Sequence, residues 1–158
     1  MDFSKFDKVV NAKDLEKARQ EALENTYEEI PAGKYVTKIE DMKIGETKDG
    51  RPMFKVQMRI VEGGEDTTRA FVSKFKNKKP CIFMNRVMFG TKNDANMIAS
   101  VEGWLAKIFP DDPILFESYT DFSEQVLDAA EDCEGLLFAV YYDPNQFNSI
   151  QINEVFES

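Results

Sequence analysis

Between Thr67 and Asn93 the chain carries Arg69, Lys74, Lys76, Lys78, Lys79, Arg86 and Lys92 and not one Asp or Glu. Phe71, Phe75, Phe83 and Phe89 are interleaved with those charges. Cations that neutralise phosphates beside rings that stack bases are the chemistry of single-strand nucleic-acid binding. The setting sharpens the contrast. The whole chain has a net charge of −9, and outside this segment 13 basic residues face 29 acidic ones. A lysine-rich run is as readily a solvated loop or a charged strand edge that discourages aggregation. On the run alone the two readings are evenly matched.

Catalysis finds little to work with. The chain has no histidine, which removes Ser-His and Cys-His nucleophiles, histidine zinc sites and imidazole acid–base steps. Two cysteines, Cys81 and Cys133, cannot fill a four-thiolate zinc site. Mg²⁺–carboxylate chemistry stays open in principle. The densest acidic groups, Asp111-Asp112 and Glu131-Asp132-Glu134, fall at element ends, where carboxylates cap helices or stay solvated. No enzyme activity, metal or cofactor is expected.

The elements that position the basic segment are legible in outline. At 158 residues, 42% hydrophobic and 31% charged, the chain suits one globular domain. No apolar run reaches the roughly 18 residues of a membrane span. The opening MDFSKFDKVV lacks an export pattern, so a cytoplasmic location with reduced thiols is expected. Residues 1–29 are predicted as a helical arm, with Asn11 and Asp14 at its cap and Leu15, Ala18, Ala22 and Leu23 at helical spacing. Residues 30–158 form the main domain. Lys34–Ile44 is a strand whose apolar phase slips between Ile39 and Met42, predicting a bulge. Asp49-Gly50 turns the chain. Phe54, Val56, Met58 and Ile60 then alternate with Lys55, Gln57 and Arg59 as a second strand. Arg69–Phe75 has β character and Cys81–Phe89 resumes it, as one interrupted third strand or as two pieces. A helix follows from about Asp94 to Phe109, stopped by Pro110. A short acidic helix over Phe122–Cys133 and strands over Leu136–Tyr142 and Ser149–Phe156 complete the chain.

Three strands, a helix, then more strands is the order of a five-stranded OB-like Greek-key barrel, a β-rich α+β fold. Such barrels bind oligonucleotides on strands two and three and through the loops joining strands one–two and four–five. On that expectation the binding residues are Lys48 and Arg51 in the first hairpin loop and Lys55 and Arg59 on strand two. Arg69, Lys74, Lys76, Lys78, Lys79 and Arg86 follow in the third-strand region, and Tyr142 and Phe147 at the last loop. Phe71 and Phe75 are assigned to base stacking, and Phe83 and Phe89 to the core.

Pro31-Ala32-Gly33-Lys34-Tyr35, together with Ile82-Phe83-Met84-Asn85-Arg86-Val87-Met88-Phe89-Gly90 running into the Trp104-Leu105 helix, resembles a family of small phage proteins. That family is encoded near replication and recombination genes and regarded as single-stranded DNA-binding proteins of OB-like fold. The resemblance covers most of residues 30–156. It implies binding of single-stranded DNA without strong sequence preference, phage or host replication and recombination proteins as partners, and no cofactor. Asp66–Lys79 departs from it by being longer and more basic. Assembly into a dimer or larger homo-oligomer stays open. The alternative function is an acidic interaction module that imitates nucleic acid and occupies the groove of a host DNA-processing enzyme.

Overall fold

The structure is a computed structural model in which residues 13–16 and 30–157 are described. Lys13–Glu16 are helical and exposed; the rest of the expected N-terminal arm lies outside the described residues. The chain divides into two compact units, Met1–Ile30 and Pro31–Ser158.

In the second unit the order is β1 (Gly33–Glu46), β2 (Pro52–Gly63), α1 (Asp66–Val72), β3 (Cys81–Val87), α2 (Asp94–Ala106), α3 (Tyr119–Asp132), β4 (Leu136–Asp143) and β5 (Ser149–Glu157). The strands form one antiparallel sheet in the order β3-β2-β1-β4-β5. Period-two alternation puts one face on the core and one in water. Tyr35, Met42, Phe54, Val56, Met58, Ile60, Ile82, Met84, Phe138, Val140, Ile150 and Ile152 are buried on the inner face. Val101 and Leu105 of α2 and Phe122 and Val126 of α3 are buried with them. Thr37, wholly buried in β1, donates to the Phe138 carbonyl at 3.2 Å. The slip in β1 is a register shift between Ile39 and Asp41. It returns Met42 to the core and turns Asp41 and Lys43 outward. Gly50, at φ 82, closes the β1–β2 turn where a side chain would be strained.

The expected barrel is corrected by the sheet, which is open. No ladder joins β3 to β5 among the described residues, and a closed barrel requires such an edge to pair. Side chains occupy that junction instead. Trp104 Nε1 donates to the Ile150 carbonyl at 2.8 Å, and Arg86 Nη1 donates to the Phe147 carbonyl at 2.9 Å. Edge carbonyls of β5 and its turn are therefore satisfied by α2 and by β3 side chains rather than by strand pairing. The OB-like fold is withdrawn, and the resemblance to the phage single-stranded DNA-binding family, which depended on it, is withdrawn with it.

A second difference concerns Arg69–Phe75, expected as strand. Asp66–Val72 is helix, and Ser73–Pro80 connects it to β3. Thr68, Phe71 and Val72 are buried at helical spacing. Thr68 Oγ1 accepts from the amides of Gly64 and Glu65, both at 3.1 Å, and donates to the Lys34 carbonyl at 2.6 Å. The helix start is thereby tied to β1. Gly63 admits the helix closely, since a Cβ there would meet the Arg69 nitrogen at 2.2 Å.

Candidate nucleic-acid interface

The outer face of β1, β2 and β3 gathers the polar side chains that alternate with the core. In β2 these are Lys55, Gln57 and Arg59, each half-buried between wholly buried neighbours. Register sets Lys55 between Lys43 and Asn85, Gln57 between Asp41 and Phe83, and Arg59 between Lys38 and Cys81. Phe83 is 50% exposed. Its ring thus stands in water beside an amide, with ammonium groups in the next row. Gly45 leaves room for the Lys55 stem, because a Cβ there would lie 3.0 Å from Lys55 Cδ. Lys55 forms no ion pair among the described residues, whereas Lys43 pairs with Asp41 at 3.2 Å.

At the Pro80 end the basic connection meets this face. Arg59 Nη1 donates to the Lys79 carbonyl at 2.5 Å, and Nε pairs with Glu40 at 3.0 Å. The Arg59 hydrogen bond holds the Glu40 carboxyl below its ordinary range, and the charges of Arg59, Lys38 and Lys78 add to that effect. Burial raises the Cys81 thiol, opposed by a hydrogen bond from Gln57 Nε2 at 3.3 Å and by the charges of Arg59 and Lys78. Arg59 and Lys78 therefore act on both groups, and Lys38 on Glu40 alone. Lys74 and Lys76 are exposed along the same connection.

At the opposite end the β1–β2 hairpin carries Lys48, exposed, and Arg51. Arg51 pairs with Asp49 at 3.0 Å and reaches the Phe89 carbonyl at 3.5 Å. The Asp49 carboxyl is held low by hydrogen bonds from Thr47 and then Arg51. Phe89, 50% exposed, meets Tyr119 edge-on with ring centres 6.1 Å apart.

Of the residues singled out in the sequence, Arg59, Lys78 and Lys79 are brought together, Lys55 lies on the same face four residues along β2, and Lys48 and Arg51 lie at the hairpin beyond. Arg69 is exposed on α1 and paired with Asp66 at 2.7 Å. Phe71 is buried at 6% exposure, with Lys74 Nζ 5.9 Å from its ring centre. Phe75 is half-buried and packs on Phe71 edge-on at 5.3 Å. The stacking role assigned to Phe71 is thus corrected, since its faces are enclosed by the helix packing. Tyr142 is likewise buried. Arg86 pairs in register with the wholly buried Phe54, so it projects to the side of β3 opposite Phe83 and Asn85. Phe147 is 87% exposed at the tip of the β4–β5 hairpin, at φ 55.

Sequence reasoning missed Lys38, Lys43 and Asn85, and sent Phe83 and Phe89 to the core. The signal for Phe83 was present: Ile82 and Met84 alternate with Phe83 and Asn85, and only one pair can face inward. Among the described residues no group of three or more acidic or cysteine side chains could hold a metal ion, and no helix is long and apolar enough to cross a membrane. The chain matches no known protein family, no curated protein and no solved structure.

Proposed function

We propose that the protein binds single-stranded DNA, without strong sequence preference, across the outer face of β1–β2–β3. The observation that carries this reading is Phe83, a half-exposed ring in register with Gln57 and one row from Lys55, which forms no ion pair among the described residues. A base would stack on the ring while Lys38, Lys55, Arg59 and Lys78 neutralise the flanking phosphates. From Met53 to Arg59 this face runs about 20 Å at ~3.3 Å per residue. Stacking on a flat ring tolerates every base, hence the lack of sequence preference.

The test is equilibrium binding of labelled single- and double-stranded oligonucleotides over a salt series. Single strands should bind more tightly, with log affinity falling by about 0.7 per phosphate contact for each tenfold rise in salt. No detectable single-strand binding at low salt overturns the reading. In that event the acidic-mimic alternative takes its place. Its own observation is α3, where Glu124, Asp128, Glu131 and Asp132 are exposed around a half-exposed Leu127.

A further inference from the structure

Between the edges of β3 and β5 lies a cleft of about 100 Å³, lined by Met84 and Arg86 of β3, Ser100 and Trp104 of α2, and Ser149 and Ile150 of β5. That is well above the ~10–15 Å³ one water molecule requires. Arg86 is its only charged lining residue among the described residues. Its Nη1 donates to the carbonyls of Asn85 at 2.8 Å and Phe147 at 2.9 Å, which uses both hydrogens on that nitrogen. A guanidinium has five donors in a planar fork, so Nε and Nη2 retain three, with no acceptor among the described residues. No buried side-chain nitrogen or oxygen in that set lacks a partner, so these donors open on solvent.

The charge is also uncompensated. No carboxylate pairs with Arg86 among the described residues. Burial lowers the guanidinium from its ordinary value, and no charge among the described residues opposes that shift. A partly desolvated cation without a counter-ion is a cost that an anion would relieve. Trp104 Nε1 is engaged with the Ile150 carbonyl, which leaves Ser100 and Ser149 as the further polar lining residues. A planar fork with serines lining the same cleft matches a tetrahedral oxyanion.

We propose that the Arg86 cleft binds one phosphate group, gripped by Nε and Nη2 of Arg86 with Ser100 and Ser149 lining the same cleft. The phosphate is either free or a phosphodiester of a nucleic-acid strand. Because Arg86 already holds the Phe147 carbonyl, a phosphate there ties β3, α2 and the β4–β5 hairpin together. The site lies on the side of β3 opposite Phe83, so it stands or falls separately from strand binding on the outer face.

The experiment titrates inorganic phosphate into the full chain, against chloride at matched ionic strength, following backbone amide resonances. Saturable shifts at Ser100, Phe147 and Ser149 are expected. Arg86→Lys, which keeps the charge and loses the fork, should weaken phosphate by about tenfold or more. Ser149→Ala should weaken it less, with unchanged thermal stability in chloride. A dinucleoside monophosphate without terminal phosphates then separates the sources. Competition identifies a strand phosphodiester, and its absence identifies free phosphate. Failure of the parent chain to saturate, or equal binding by parent, Arg86→Lys and Ser149→Ala, overturns the proposal whatever the outer face does.

Discussion

Replacing Phe83 by alanine separates stacking from charge. The ring is 50% exposed, so roughly half of an aromatic side chain's ~200 Å² is buried against its neighbours. At about 25 cal/mol per Å², losing that ~100 Å² costs at most ~2.5 kcal/mol, and less because alanine keeps its Cβ. The domain should stay folded, which a urea titration checks first. Base stacking is worth ~1–3 kcal/mol, and a ring with one side against the sheet belongs near the lower end, so single-strand affinity should drop about 5- to 30-fold. The salt slope should not change, because no cation is removed. Lys55→Ala provides the contrast, with weaker binding and a slope shallower by about 0.7. Fluorescence anisotropy at four or five salt concentrations reads both quantities. Phe83→Ala binding within twofold of the parent throughout, while Lys55→Ala flattens the slope, would refute stacking on this ring.

Thr68→Val preserves shape but removes the hydroxyl shared by Gly64, Glu65 and Lys34; urea unfolding should show a loss of about 2 kcal/mol. Gly63→Ala drives a Cβ into the backbone of Arg69 and should cost more than ~3 kcal/mol, seen as a large fall in the thermal midpoint. Phe147→Gly relieves a left-handed aromatic residue at φ 55; offset by the greater chain entropy of glycine, the net gain by calorimetry should stay below ~1 kcal/mol. Glu40, Asp49 and Asp94 are held below their ordinary values, chiefly by hydrogen bonds from Arg59, Thr47 and Thr91 respectively. With folded values depressed, their stabilisation is present above the unfolded values of 4.5 and 3.8 and is lost as pH falls through the folded ones. On the acid side, chemical denaturation at a series of pH values should therefore show stability declining below about pH 4.5.

Sequence by itself determined what depends on neighbours along the chain. The alternation of β2 reports its two faces because successive side chains of a strand point oppositely. The lost phase between Ile39 and Met42 foretold the bulge, and Pro110 bounded α2 closely. The span free of carboxylates is read directly from residue order, and the outward row of Lys55, Gln57 and Arg59 from the same alternation.

Tertiary structure decided everything that depends on partners distant in the chain. Arg69–Phe75 is too short for periodicity to choose between strand and helix, and the bond from Thr68 to the Lys34 carbonyl, thirty-four residues away, favours the helix. That choice buried Phe71. Register with β2 turned Phe83 outward and Arg86 to the other side of β3. Element order is shared by open and closed sheets, so closure could not be read from it. The outcome rests on whether β3 and β5 meet as backbone or through side chains, and here Trp104 and Arg86 occupy the junction. The basic run was visible from the start, but which of its residues share a surface is a matter of pairing across strands, and pairing is not written in any one of them.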